Sequence, residues 1–288
     1  MDLPYLREHP EHLPAFLTHQ RLRETPVSGG SICVAQRLTL EDGASVFAKS
    51  LTGAPDGFFA AEAAGLRWLR EAQAVPVPEV LVELPELLAL EWIEPDEPSK
   101  PAAERFGRDL ADLHRAGADA FGAPWPGFIG RLPLDNAAGD ARWAEWFVAR
   151  RLAPFVKLSV DRGAISAADA AVLDRALERI PALGGDEPPA RIHGDLWSGN
   201  VVWAADRVWL VDPAAHGGHR ETDLALLALF GGTPLLERVI AAYDEAWPLA
   251  DGWRTRVPAH QLYLLLVHTA LFGGGYRDAV MRAGRALL

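Results

Sequence analysis

The sequence predicts an α+β fold in two lobes: a small β-rich N-terminal lobe over residues 1–93 and a larger, mainly helical C-terminal lobe over residues 94–288. Three observations predict it. Short β-like runs crowd the first third of the chain. An acidic, proline-rich stretch, Glu94-Pro95-Asp96-Glu97-Pro98, then reads as a linker. Beyond it helical patterns dominate.

In the first lobe, residues 31–40 and 44–50 are strand-like and flank the turn Glu41-Asp42-Gly43, which predicts a hairpin. Residues 58–72 are rich in Ala, Leu, Arg and Glu, lack proline and read as a helix. Pro76 and Pro78 end that region, and a strand-like run over 87–93 follows Pro85. In the second lobe, residues 102–116 form a helix with Phe106, Leu110 and Leu113 on one stripe. A Gly/Pro-rich loop is expected over 117–134. Helices are expected over 142–160, with Trp143, Trp146 and Phe147 as core, over 167–180, and through most of 223–288. One β-hairpin, near residue 206, is the only one expected in this lobe.

Composition narrows the function. The chain has 288 residues, 49% apolar and 23% charged, as ordinary globular domains do, with a formal net charge of -11. No dense Lys/Arg cluster stands out, which argues against nucleic-acid binding. The apolar runs 224–230 and 262–272 are too short for a membrane span or are interrupted, the second by His268 and Thr269. With no apolar signal-peptide core near Met1, a cytoplasmic protein without a membrane partner is expected. The single cysteine, Cys33, excludes an intramolecular disulfide and any multi-cysteine metal site.

The chemistry concentrates in residues 191–213. Gly194 and Gly199 bracket a polar loop, His193 to Asn200; Val201-Val202-Trp203 and Val208-Trp209-Leu210-Val211 are strands that fold about Asp206. The hairpin brings Asn200 opposite Asp212, so Asp195, Asn200 and Asp212 converge. Hard oxygen ligands from a loop and a strand end suit Mg2+. Phosphoryl transfer from ATP needs this division: one carboxylate, Asp195, to orient the attacking hydroxyl and accept its proton, and an Asn with a second Asp to hold the metal. The first lobe supplies an independent check. Lys49 ends the strand-like run Val46-Phe47-Ala48-Lys49, and Glu62 shares a helical stripe with Phe59, Leu66 and Leu69, so it faces inward, where a lysine partner offsets its burial. Gly29, Gly30 and Ser31 are expected to cover the phosphates with backbone N–H groups. Glu91, Trp92 and Ile93 are expected beside adenine. No Gly-x-x-x-x-Gly-Lys-Ser/Thr motif occurs.

The words His193-Gly194-Asp195-Leu196-Trp197-Ser198-Gly199-Asn200, Asp212-Pro213-Ala214 and Gly218-His219-Arg220-Glu221 resemble the fructosamine kinase (ketosamine 3-kinase) family. That family belongs to the aminoglycoside phosphotransferase and choline kinase-like group, which shares a two-lobed protein-kinase-like fold. The resemblance extends to Phe47-Ala48-Lys49, Leu90-Glu91-Trp92, the Gly107 to His114 segment, Phe128-Ile129-Gly130 and Leu229-Phe230-Gly231-Gly232. It implies transfer of the ATP γ-phosphate to the sugar 3-hydroxyl of a fructosamine or ribulosamine, free or protein-bound, a deglycation-repair activity. Many relatives carry Asn where this chain has Cys33; some have a redox-sensitive cysteine in that loop. A monomer is expected, with a Cys33-linked dimer as the alternative.

Other residues have two readings each. Trp197 either contacts the acceptor or packs beneath the loop, and His219, Arg220 and Glu221 are candidate acceptor contacts. His193 is architectural by resemblance. His216 and His219 form a conceivable zinc pair without a well-spaced carboxylate. Asp223 either caps a helix or braces the loop from behind. The rival functions are a related kinase acting on an aminoglycoside, choline or homoserine, a catalytically silent nucleotide-binding regulator, and a magnesium-dependent hydrolase.

Overall fold

The computed structural model describes residues 1–19, 22–27, 32–139 and 142–288. Two short helices, α1 (Leu3–Glu8) and α2 (Leu13–Thr18), open the chain. A five-stranded antiparallel sheet follows, in the order β1-β2-β3-β5-β4: β1 (Arg23–Pro26), β2 (Val34–Thr39), β3 (Ser45–Ser50), β4 (Val80–Leu84) and β5 (Leu87–Glu91). The expected hairpin is β2–β3, with Ala35 opposite Lys49. Helix α3 (Phe58–Glu71) crosses between β3 and β4.

Alternation along β3 decides which side chain reaches the cleft. Val46 and Ala48 are buried on one face with Leu6, Leu13 and Leu38, under α1 and α2. Phe47 and Lys49 therefore point to the opposite face, towards α3. Helices α1 and α2, of six residues each, are too short to show a helical period in the sequence, and β4 lies among Pro76, Pro78 and Pro85, whose turn chemistry masks it.

Residues 92–99 have no helix or strand and lead into α4 (Lys100–Arg115), which begins at an N-cap, Ser99, whose side chain accepts the Ala102 N–H. Phe106, Leu110 and Leu113 are buried on its inner face as the stripe predicts. A hairpin, β6 (Gly127–Ile129) with β7 (Leu132–Leu134), occupies the segment expected to be loop. Helix α5 (Trp143–Phe147) passes through a π-helical turn, Val148–Leu152, into α6 (Ala153–Asp161); α7 (Ala167–Arg179) follows, opened by a Ser166–Asp169 capping box. Trp143, Trp146 and Phe147 are buried.

Strand β8 (Ala190–Ile192) precedes the polar loop, and β9 (Val201–Ala204) and β10 (Arg207–Leu210) form the expected hairpin. A short strand, β11 (His216–Gly218), returns to pair with β8. Among the described residues the second half thus holds three small two-stranded units where one was expected, because two of them are only three residues per strand. Helices α8 (Arg220–Leu227), α9 (Leu236–Ala246), α10 (Trp253–Phe272) and α11 (Arg277–Arg285) complete the chain. One apolar core joins α3, α4, α9 and the β9–β10 hairpin, including Leu66, Leu110, Leu196, Val201 and Tyr243. Among the described residues, no helix is long and apolar enough to cross a membrane.

Candidate active site

The β9–β10 hairpin turns at Ala205 and Asp206, with Val201 opposite Leu210. Pairing continues one step further, where the Val211 N–H donates to the Asn200 carbonyl at 3.1 Å. Asn200 therefore faces Val211, and Asp212 sits one residue past the predicted position. Its backbone, at φ 54°, lies in the left-handed region that Asp tolerates better than most residues. There Asp212 accepts a hydrogen bond from Lys49. Lys49 Nζ also lies 2.5 Å from Glu62 Oε2. The inward stripe of α3 and the cleft-facing side of β3 thus meet at one ion-paired group.

The loop before the hairpin is held from several sides. Gly194 has φ 80°, and a side chain there would bring its first carbon within 2.3 Å of the Ala214 carbonyl oxygen. His193 is fully buried; its Nε2 pairs with the Val211 carbonyl at 2.9 Å and its Nδ1 accepts the Asp195 N–H at 3.3 Å. Asp223, on α8 and fully buried, accepts the N–H groups of His193 at 2.7 Å and Gly194 at 2.9 Å. Asp223 braces the loop; the N-cap of its helix is His219. Asn200 Nδ2 donates to the Asp195 carbonyl at 2.8 Å and to Asp195 Oδ2 at 3.2 Å. Asp195 Oδ1 is buried and has no hydrogen-bond partner among the described residues, so one carboxyl oxygen is oriented and the other is unengaged. The Trp197 ring lies against Gly199, where an added side-chain carbon would approach it to 2.3 Å.

These groups share one cavity of about 510 Å³, whose lining includes Lys49, Glu62, Asp195, Asn200 and Asp212. Glu91, Trp92 and Ile93 line it too; β5 ends at Glu91, and Arg37 lies 4.5 Å over the Trp92 ring. Cys33, half-buried, also lines it, and burial pushes its thiol up. Gly29, Gly30 and Ser31 lie outside the described residues. Sequence reasoning missed the wall supplied by α10, with Leu264, Val267, His268 and Leu271. The available signal was His268 itself, a polar residue inside an apolar helical run.

Electrostatics bind the cluster together. Burial would lower Lys49, but the carboxylates of Asp212 and Glu62 override it and hold the amine above its ordinary value. Burial pushes the Glu62 carboxyl up to about 7 against the pull of Lys49. Asp212, which burial would raise, is drawn below the usual range by Lys49. Asp195 stands well above it, through burial first and the charge of Asp212 second, while the Asn200 hydrogen bond pulls the other way. Three carboxyl groups and the Asn200 amide thus place hard oxygen donors beside one ion-paired lysine. The residues fit a divalent cation accompanied by phosphate oxygens.

His219, Arg220 and Glu221, expected as acceptor contacts, are not among the residues that line this cavity. His219 Nε2 meets the Gly185 carbonyl at 2.6 Å, Arg220 pairs with Glu187 at 2.7 and 2.8 Å, and Glu221 pairs with Arg256 at 2.8 and 2.6 Å. All three are buried in a structural network behind the loop. His219, Glu221 and His260 are close enough together to surround a metal. His219 Nε2 is engaged with the Gly185 carbonyl and Glu221 with Arg256; His260 meets Thr222 through Nδ1, while its Nε2, 3.4 Å from Glu221 Oε2, has no hydrogen-bond partner among the described residues. His216, the other half of the conceivable zinc pair, is bonded to the Ala214 carbonyl at 2.7 Å.

Fold and cleft together have the two-lobed, protein-kinase-like architecture. Comparison with known proteins specifies it further. A sequence model described as fructosamine kinase matches residues 12–288, and the chain belongs to that family. A Thermus thermophilus protein, described provisionally as a ketoamine kinase, is 36% identical over 259 residues, covering 90% of this chain and 91% of the relative. A Thermobifida fusca crystal structure, described provisionally as a fructosamine-3-kinase, shares 47% identity with a TM-score of 0.87, covering 92% of each chain. The complex of gentamicin with APH(2″)-IIa, at 12% identity and a TM-score of 0.64, shares the fold over 96% of this chain and 95% of the other.

Proposed function

We propose that this chain transfers the γ-phosphoryl group of ATP to the 3-hydroxyl of a ketosamine, with Asp195 as the base. The observation that carries the reading is the convergence of Asp195, Asn200, Asp212 and the Lys49–Glu62 pair on one cavity, in a member of the fructosamine kinase family. Residues 1–93 act as the nucleotide lobe and 94–288 as the catalytic and acceptor lobe. Glu91 to Ile93 meet adenine, Lys49 fixes the phosphates, and Glu62 holds Lys49. Asn200 and Asp212 would hold Mg2+, which would neutralise charge on the phosphates.

Asp195 acts on the acceptor. Its carboxylate orients the 3-hydroxyl and takes its proton as the oxygen attacks the γ-phosphorus; the bond to the β-bridging oxygen breaks and ADP leaves. Most of the rate gain comes from positioning and charge neutralisation. An acceptor panel tests the reading, with fructosamine and ribulosamine set against an aminoglycoside, choline and homoserine, and products identified by mass spectrometry. The ketosamines are expected to gain one phosphoryl group at the 3-position with stoichiometric ADP. Phosphate release without a phosphorylated acceptor, or turnover confined to the other acceptors, refutes it.

A further inference from the structure

A chain of aromatic rings runs outward from the catalytic loop. Phe230 meets Trp197 edge to face with ring centres 5.9 Å apart, and His268 lies 4.6 Å from Phe230. Phe272 and Tyr276 follow at 5.5 and 5.1 Å from His268. Trp197, His268 and Phe272 line the active-site cavity, whereas Phe230 and Tyr276 line a second hollow of about 530 Å³. The rings therefore form the wall shared by the two spaces.

Two features separate this wall from ordinary core packing. Phe230 is 39% exposed and Phe272 49%, among the few large apolar side chains left open to solvent. Phe230 also sits at φ 54°, ψ 38°, a left-handed conformation that is costly for a bulky residue and is typically retained where function requires it. The charges favour a cation here. The lysine on the cavity wall, Lys49, is already paired with Glu62 and Asp212. His268 donates from Nδ1 to the Leu264 carbonyl at 2.9 Å, and burial pushes its ring below the ordinary imidazole value.

A ketosamine nitrogen lies four bonds from the 3-hydroxyl oxygen, roughly 5 Å at full extension. With that oxygen at Asp195, a path past Trp197, which lines the same cavity, carries the nitrogen towards the outer rings. Whatever the nitrogen carries must then pass the outer rings. We propose that Phe230, with His268, Phe272 and Tyr276, forms the subsite for the substituent on the acceptor's amine nitrogen and selects acceptors bearing an extended apolar or aromatic group. This rests on the ketosamine reading of the active site. Ring faces attract the protonated amine, and apolar ring area covers its substituent.

The test compares two acceptors built on one ketose, N-methyl and N-benzyl fructosamine, with wild type, Phe230→Ala and Phe230→Leu. The readout is the ratio of kcat/KM for the benzyl acceptor to that for the methyl acceptor. Phe230→Ala is expected to lower this ratio about tenfold, and Phe230→Leu by a smaller factor. A ratio unchanged in Phe230→Ala overturns the subsite. Phe272→Ala, at an exposed position, supplies the same comparison if Phe230→Ala yields no folded protein. Wild type that phosphorylates neither fructosamine overturns the ketosamine reading and the subsite with it; wild type that phosphorylates both, with no loss of discrimination in the variants, overturns the subsite alone.

Discussion

Asp223→Asn is the most incisive test of how the catalytic loop is held. Asp223 is fully buried, and its two oxygens accept backbone N–H groups from His193 and Gly194 and a contact from His114 Nε2 at 3.2 Å. Asn keeps one acceptor oxygen and replaces the other with an NH2 that faces an N–H donor. One buried N–H then loses its partner, which costs about 1–3 kcal/mol, and the remaining bond loses its charge assistance, about another 1 kcal/mol. The expected destabilisation is about 2–4 kcal/mol, a large share of the roughly 5–15 kcal/mol that stabilises a domain. Urea unfolding should show a lower midpoint with an unchanged slope. Because Asp195 follows Gly194 directly, kcat should also fall, about tenfold or more, as expected when a reacting group is misplaced. A variant within about 1 kcal/mol of wild type with kcat within about threefold refutes the argument.

Three further outcomes are expected. Asp195→Asn should abolish turnover while retaining nucleotide binding, and substantial residual activity removes Asp195 as the base. Asp212→Ala should lose the thermal shift given by Mg-ATP, because it removes a hard oxygen donor and a partner of Lys49; an undiminished shift argues against a metal role. Burial lowers His219 to about 4 and His216 to about 3, and Glu221, raised by burial but drawn down by Arg256, lies at about 2. All three are depressed below their unfolded values, so their stabilisation is fully present above about pH 6.5 and is lost as pH falls through the folded values. Glu62 and Asp195, raised above their ordinary values, act in the opposite sense, so the test is a difference: the fall in Tm from pH 6.5 to 4 should be smaller in His216→Gln than in wild type, and an equal fall refutes the account.

How much could be read from the sequence follows from which residues act through local geometry. Lys49 and Glu62 were legible because strand alternation and helical periodicity each point a side chain in a stated direction, and the two directions meet at 2.5 Å. Asn200 and Asp212 were legible because a two-residue hairpin turn fixes their separation to within one position. His219, Arg220 and Glu221 were not, since polar residues beside a catalytic hairpin can turn either way. Their partners Gly185, Glu187 and Arg256 lie 33 to 35 residues away in sequence. The aromatic wall was equally hidden, because Trp197, Phe230, His268 and Tyr276 meet only through tertiary packing of four separate segments. Asp223 allowed a cap and a brace, and only its contacts decide for the brace.

The catalytic loop is placed by the core as much as by its own hydrogen bonds. Asp195 and Trp197 line the cavity, while Leu196 between them is fully buried among the residues of α3, α4 and the hairpin. The loop is therefore nailed to the core at the one position where its side chain turns inward. Leu196→Ala should cost about 2–5 kcal/mol, the usual range for removing a buried leucine where the surroundings relax only partly. It should also lower kcat more than it raises the KM for ATP, because the loss displaces Asp195 but leaves Lys49 and Glu62 on their own strand and helix. Leu196→Met, of similar volume, should keep most of both. Denaturant unfolding with steady-state kinetics on the same preparations checks the pair. A Leu196→Ala protein that unfolds like wild type, or that loses ATP affinity while keeping kcat, would show that the loop's hydrogen bonds alone position Asp195.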